Sequence, residues 1–200
     1  MHAIQHRIKH RISHVSRFAG LAVVVAVLTS CADAPTQRFD GASPAFDPIA
    51  YFEGPTHAWG VLESRDGTPK SRFRADLVGR RDAGALVLTQ DFTFEDGRRQ
   101  QRIWRFHRVD AHRYDATADG VIGVATGHVH GNAFRWEYTL QLTPGNPLTR
   151  VRMHHWMYLA GDGATLINRV TIRKFGLQVG GTTEYFQRGA AVTPSITAPP

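Results

Sequence analysis

The side chains that could act as nucleophiles or hold a metal are few. The chain has a single cysteine, Cys31, and eleven histidines. Beyond Cys31 there are four serines, Ser43, Ser64, Ser71 and Ser195. None of these serines sits in the Gly-x-Ser-x-Gly turn that exposes a hydrolase nucleophile. The sequence also lacks a P-loop, a dinucleotide glycine fingerprint and a Cys-x-x-Cys pair. His128 and His130 are two apart, so a strand places both rings on one face, whereas the adjacent His154 and His155 point to opposite faces. Zinc takes three or four ligands, and nothing in the sequence brings a third beside either pair. The expectation is therefore no catalytic residue, no metal, no cofactor and no enzymatic activity.

Cys31 takes its chemistry from what precedes it. Residues 1–17 carry Arg7, Lys9, Arg11 and Arg17 and no acid, and a small or apolar run, Phe18–Leu28, follows. That run suits a signal-peptide core and falls short of the ~20 residues of a membrane-spanning helix. It ends in Leu28-Thr29-Ser30-Cys31, which resembles the bacterial lipobox. The expectation is a signal peptide over residues 1–30, cleavage before Cys31, and lipidation of that thiol. Several acyl chains on one residue make a lasting anchor, because each buried methylene contributes about 0.8 kcal/mol. Ala32 stands where an aspartate would favour inner-membrane retention. By similarity to other lipoproteins, the address expected is the periplasmic face of the outer membrane. With its one thiol acylated, the domain must hold together without a disulfide.

Charge has to be recounted after such cleavage. The formal net charge of +7 includes four bases of the leader, so 20 basic against 17 acidic side chains remain, a net of +3. The run Arg98, Arg99, Arg102, Arg105 and Arg108 passes through Trp104 and Phe106. It reads as a solvated strand face with its rings turned inward, and no nucleic-acid partner is expected.

Elements that could position a site follow from hydropathy. Residues 31–45 are rich in proline and small residues and read as the lipidated cysteine and a flexible tether, and residues 189–200 as a disordered tail. Between them, residues 46–188 alternate with period two almost throughout. Phe134, Trp136, Tyr138, Leu140 and Leu142 form the cleanest stripe. Glycine- and asparagine-bearing turns recur at Asp66-Gly67, Asp96-Gly97, Gly131-Asn132 and Gly161-Asp-Gly163. A short helical turn is expected near Asp47–Phe52. The fold class is all-β, an antiparallel meander of about eight to ten strands closing into a lipocalin-like barrel, since closure removes exposed edges.

Inside such a barrel, tryptophans either fill the core or line a pocket. Asn168 and Lys174 share the strand face of Leu166, Val170 and Ile172, and a buried amide or charge is costly unless paired. The residues expected to contact a ligand are Trp104, Trp136, His155, Trp156, Asn168, Arg169 and Lys174.

The segments Phe46-Asp-Pro-Ile-Ala-Tyr-Phe-Glu-Gly54, Ala58-Trp-Gly60, Asp91-Phe-Thr-Phe-Glu-Asp-Gly97, Trp156-Met-Tyr-Leu159, Ile167-Asn-Arg169 and Lys174-Phe-Gly176 resemble, in order, a bacterial lipoprotein family of unknown function, DUF3833. The resemblance implies a lipoprotein and points toward acyl chains or membrane lipids, with no assigned catalytic residue. This chain departs from it at His154 and His155, where the resemblance implies acidic residues. The expected function is that of a membrane-anchored barrel that binds or carries a lipid or other hydrophobic ligand. The alternatives are an enzyme or accessory factor in membrane-lipid modification, using Asp91, His155, Arg169 and Lys174, and a structural envelope lipoprotein without ligand.

Overall fold

A computed structural model of the chain describes residues 35–189. The leader, Cys31 and the tail beyond residue 189 lie outside the described residues. Ten strands run in sequence: β1 (Gly54–Ser64), β2 (Pro69–Asp82), β3 (Ala85–Phe94), β4 (Arg99–Arg108), β5 (Arg113–Ala118), β6 (Val121–His130), β7 (Ala133–Gln141), β8 (Arg150–Leu159), β9 (Thr165–Lys174) and β10 (Leu177–Arg188). Each pairs antiparallel with its neighbours, and β10 returns to β1, with Ala58 opposite Phe186, so the meander is a closed barrel. The expected all-β class and barrel closure hold, at ten strands.

Alternation decides which side chains go in. On β7, Phe134, Trp136, Tyr138 and Leu140 are buried, and Arg135, Glu137 and Thr139 between them are half-exposed. The middle of the barrel is filled by rings. Trp136 stacks on Phe106 at 5.1 Å between centroids and meets Trp104 edge-on at 5.7 Å. Such contacts add about 0.5–1.5 kcal/mol each beyond the area they bury.

One end of the barrel is closed by the five-residue helix α1 (Pro48–Phe52). Asp47 caps it, accepting hydrogen bonds from Ile49 N and Ala50 N at 3.0 and 3.2 Å, and Pro48 supplies a pre-set first turn. The same carboxylate pairs with Arg108 of β4, which ties the helix to the barrel wall. Phe52 packs on Phe186. Its carbonyl oxygen comes so near Gly79 that a Cβ there would lie 1.9 Å away, so only glycine admits the helix.

Residues 36–45, expected within the tether, instead pack on the barrel. A 3-10 turn (Thr36–Phe39) lies against β6 and β7. Thr36 is buried, Phe39 contacts the rings of Trp156 and Tyr158, and Phe46 N donates to Gly131 O at 2.8 Å. The alternation rule could not find this segment, because what holds it is the outer wall of a sheet folded from residues about a hundred positions away.

Candidate functional site

A layer of polar side chains crosses the barrel above the ring-filled middle, toward the end that α1 does not cover. It starts from Asn168, which strand parity turns inward on β9 between Leu166 and Val170. Asn168 is 0% exposed. Its Nδ2 donates to His155 Nδ1 at 3.0 Å and to Glu184 at 2.9 Å, and register sets Glu184 directly opposite on β10. Glu184 accepts a second bond from Thr182 Oγ1 at 2.8 Å. His155 Nε2 donates to the Tyr138 hydroxyl at 3.2 Å, and the positive charge of Arg102 acts on the same phenol. With both amide hydrogens spent, Asn168 Oδ1 is left with no partner, although it is fully buried. A buried acceptor without a donor costs about 1–3 kcal/mol.

The electrostatics follow from burial. Desolvation pushes the His155 imidazole down to about 3, so it is neutral at ordinary pH, which agrees with an Nδ1 that accepts from Asn168. Burial raises the Tyr138 phenol to about 12, against the lowering effect of Arg102. Burial likewise raises Glu184 above the usual carboxylate range, and the bonds from Asn168 and Thr182 oppose it only in part. Glu184 keeps some surface accessible, so the layer is not wholly sealed.

Above the layer, the inward positions become apolar and half-exposed: Leu62, Phe73, Phe92, Phe94, Met153 and Ile172. The Phe73 ring covers Gly60 and packs on Phe92 and Phe94 at 5.8 Å. An apolar rim over a polar floor suits a molecule with a hydrophobic body and a polar end.

The residues expected to meet a ligand divide into two groups. Trp104, Trp136, His155 and Asn168 face the interior, and Lys174 has the same parity at the rim, its Nζ 5.6 Å from the Phe175 ring. Trp136 belongs to the packed rings of the middle, and the register sets it opposite His155 of the polar layer. Trp156 and Arg169, opposite each other across β8 and β9, lie on the outer wall. They border a cleft of about 330 Å³ with Glu63, Arg65, Gln178 and Thr183. A second cleft, about 390 Å³, opens between β6 and β7 where the register shifts from Ile122 to Thr126, beside Glu137 and its partners Arg135 and Arg152. The acid–base set of the enzyme alternative is not assembled. Asp91 is exposed and held by Gln101 at 2.8 Å, Arg169 is outside, and only His155 and Lys174 face inward. Among the described residues, no group of three or more histidine, cysteine or acidic side chains could hold a metal.

Arg102, Tyr138, Thr182 and Glu184 complete the layer and were not singled out as ligand contacts in the sequence. The signal for Arg102 was there, since it shares parity with Trp104 and Phe106, but a run of five arginines reads as an outer face. Glu184 needs the β9–β10 register, which no single strand shows.

Comparison with known proteins adds the following. A sequence model of the family described as "Protein of unknown function (DUF3833)" matches residues 25–188. No curated protein matches the chain. Among solved structures, the S-type phycobiliprotein lyase CPES from Guillardia theta is similar at a TM-score of 0.55 with 6% identity, covering 72% of this chain and 91% of that one. Rv2717c from M. tuberculosis is similar at a TM-score of 0.53 with 15% identity, covering 74% of this chain and 99% of that one. At these identities the likeness is one of fold.

Proposed function

That the chain belongs to the DUF3833 family is the premise from which we propose that it is a lipid-anchored, periplasm-facing barrel binding a hydrophobic ligand at its open end. The observation that carries this reading is the unpaired Asn168 Oδ1 in a polar floor beneath half-exposed apolar side chains. A barrel serving only as a scaffold gains nothing from a buried acceptor without a donor. Because rings fill the middle, the ligand sits shallow, with its polar end at the layer of Asn168 and its body among the rim residues. The fold likeness to a phycobiliprotein lyase is consistent with a ligand-binding barrel.

The anchor rests on the lipobox at Cys31 and on the basic and apolar residues before it. Since packing on the barrel begins at Thr36, the intervening stretch reaches at most about 17 Å when extended. The barrel then stays near the lipid surface, where a hydrophobic ligand is exchanged without crossing much water. An enzymatic role has the lyase neighbour in its favour, but the residues expected for acid–base work do not converge.

Native mass spectrometry of the protein purified from its own membranes is the test. A retained hydrophobic molecule, lost when Phe73 and Phe92 are both changed to Ser, is expected. A wild-type protein that carries nothing and takes up no hydrophobic probe would overturn the ligand reading. For the anchor, Cys31→Ser is expected to abolish palmitate labelling and either leave the precursor unprocessed or release the barrel from membranes, and labelling that persists would refute it.

A further inference from the structure

Below the Lys174 ammonium at the rim, the polar layer of the open half holds one guanidinium and one carboxyl group that neither pair with each other nor meet another opposite charge. Arg102 faces inward on β4 opposite Gln90, half-buried, with its guanidinium 6.0 Å from the Trp104 ring centre. Its charge acts on the Tyr138 phenol, and none of the ion pairs among the described residues includes it. Glu184 is held by two neutral donors, Asn168 Nδ2 and Thr182 Oγ1, and no cation pairs with it. The chain Tyr138–His155–Asn168 links the two groups and holds them apart. Asn168 Oδ1, fully buried and unpaired, adds an acceptor beside the carboxyl group.

Building on the reading of this barrel as a ligand binder, we propose that its ligand is a zwitterionic amphiphile. Its anionic group meets Arg102, its ammonium meets Glu184 and Asn168 Oδ1, and its tail lies among Phe73, Phe92, Phe94, Met153 and Ile172. The guanidinium fork matches the planar spacing of phosphate or carboxylate oxygens. An ammonium brings several N–H donors, enough for the carboxylate and for the amide oxygen that lacks one. A purely anionic amphiphile would satisfy Arg102 and leave Glu184 desolvated beside a second negative charge. A purely cationic one would repeat that fault at Arg102. Only a head with both signs relieves both groups at once.

Calorimetric titration of the full-length Cys31→Ser protein, which carries no acyl chain of its own, tests this with four probes below their micelle concentrations. Lysophosphatidylethanolamine has both charges and a tail, lysophosphatidylglycerol lacks the ammonium, dodecylamine lacks the phosphate, and phosphoethanolamine lacks the tail. The zwitterionic lipid is expected to bind at least about tenfold tighter than either singly charged one, as a site built for paired hydrogen bonds discriminates. Phosphoethanolamine is expected to show no saturable binding. Glu184→Gln should bring the two lysolipids to equal affinity, and Arg102→Gln should weaken both while sparing dodecylamine. Equal affinity of wild type for the two lysolipids overturns the zwitterion and leaves the hydrophobic-ligand reading standing. Failure of every tailed probe overturns both. If the Glu184 variant does not fold, the wild-type ratio of the two lysolipids still decides.

Discussion

His155 shows how burial, at the scale of one residue, sets protonation and through it stability. Its imidazole is held neutral inside the barrel, with its affinity for a proton lowered to about 3 from an ordinary 6.5. Between those two values the unfolded chain binds a proton that the folded protein refuses, so stability falls as pH drops through that window. Glu184 acts with the opposite sign. Its raised value means the folded protein holds a proton that the unfolded chain has released, so its contribution is lost as pH rises through the folded value. The His155 window lies between about 3 and 6.5, on the acid side. His155→Gln is expected to flatten the acid limb of a pH–stability profile, with urea midpoints at pH 7.5 and 5 lying closer together than in wild type. The effect at stake is a few kcal/mol, on the order of 1.4 kcal/mol per pH unit spanned. Asn168→Leu removes the donor that both His155 Nδ1 and Glu184 rely on, and is expected to cost about 1–3 kcal/mol in the same melts. Trp136→Ala, in the packed middle, is expected to cost about 3–5 kcal/mol.

At the scale of the element, two short pieces of non-strand structure do more than connect. Helix α1 closes one end because Gly79 has no side chain to hold it off. Gly79→Ala is expected to force α1 outward and to lower the melting temperature while the far-ultraviolet spectrum stays β-dominated. The segment 36–45 contributes the Phe39 contacts to Trp156 and Tyr158, and Asp40 pairs with His130 at 2.6 Å. A chain starting at residue 36 is therefore expected to be more stable than one starting at residue 46, by about 1–3 kcal/mol from the buried rings. Equal denaturation midpoints for the two would show that the docking contributes nothing.

For the whole molecule, closure of β1 onto β10 joins residues more than a hundred positions apart, as with Thr56 opposite Arg188. Contacts of that separation slow folding, because loop closure must precede the burial that rewards it. The barrel gains from closure a wall without open edges, and so tolerates an interior that is packed at one end and polar and half-open at the other. On the function proposed above, that asymmetry assigns the ligand to the open end, since the helix covers the opposite one. Changes confined to the rim, such as Phe92→Ser, are expected to move ligand affinity far more than stability.

Period-two alternation by itself determined the strands, their buried faces and the closed meander, since an exposed edge is unfavourable wherever a long antiparallel strand ends. The Asp-Pro start of α1 was equally plain, because a cap and a pre-set first turn are local chemistry. Parity alone turned Asn168 and Lys174 inward, and the same rule turns Arg169, next to Asn168, and Trp156, next to His155, outward, so the outer-wall place of those two was legible in the strand period. Only the tertiary structure decided that Asn168 meets Glu184 and His155, and that residues 36–45 lie down on the wall. The Asn168 contacts need the registers of the β8–β9 and β9–β10 hairpins, and the docking of residues 36–45 needs a wall folded from residues about a hundred positions away.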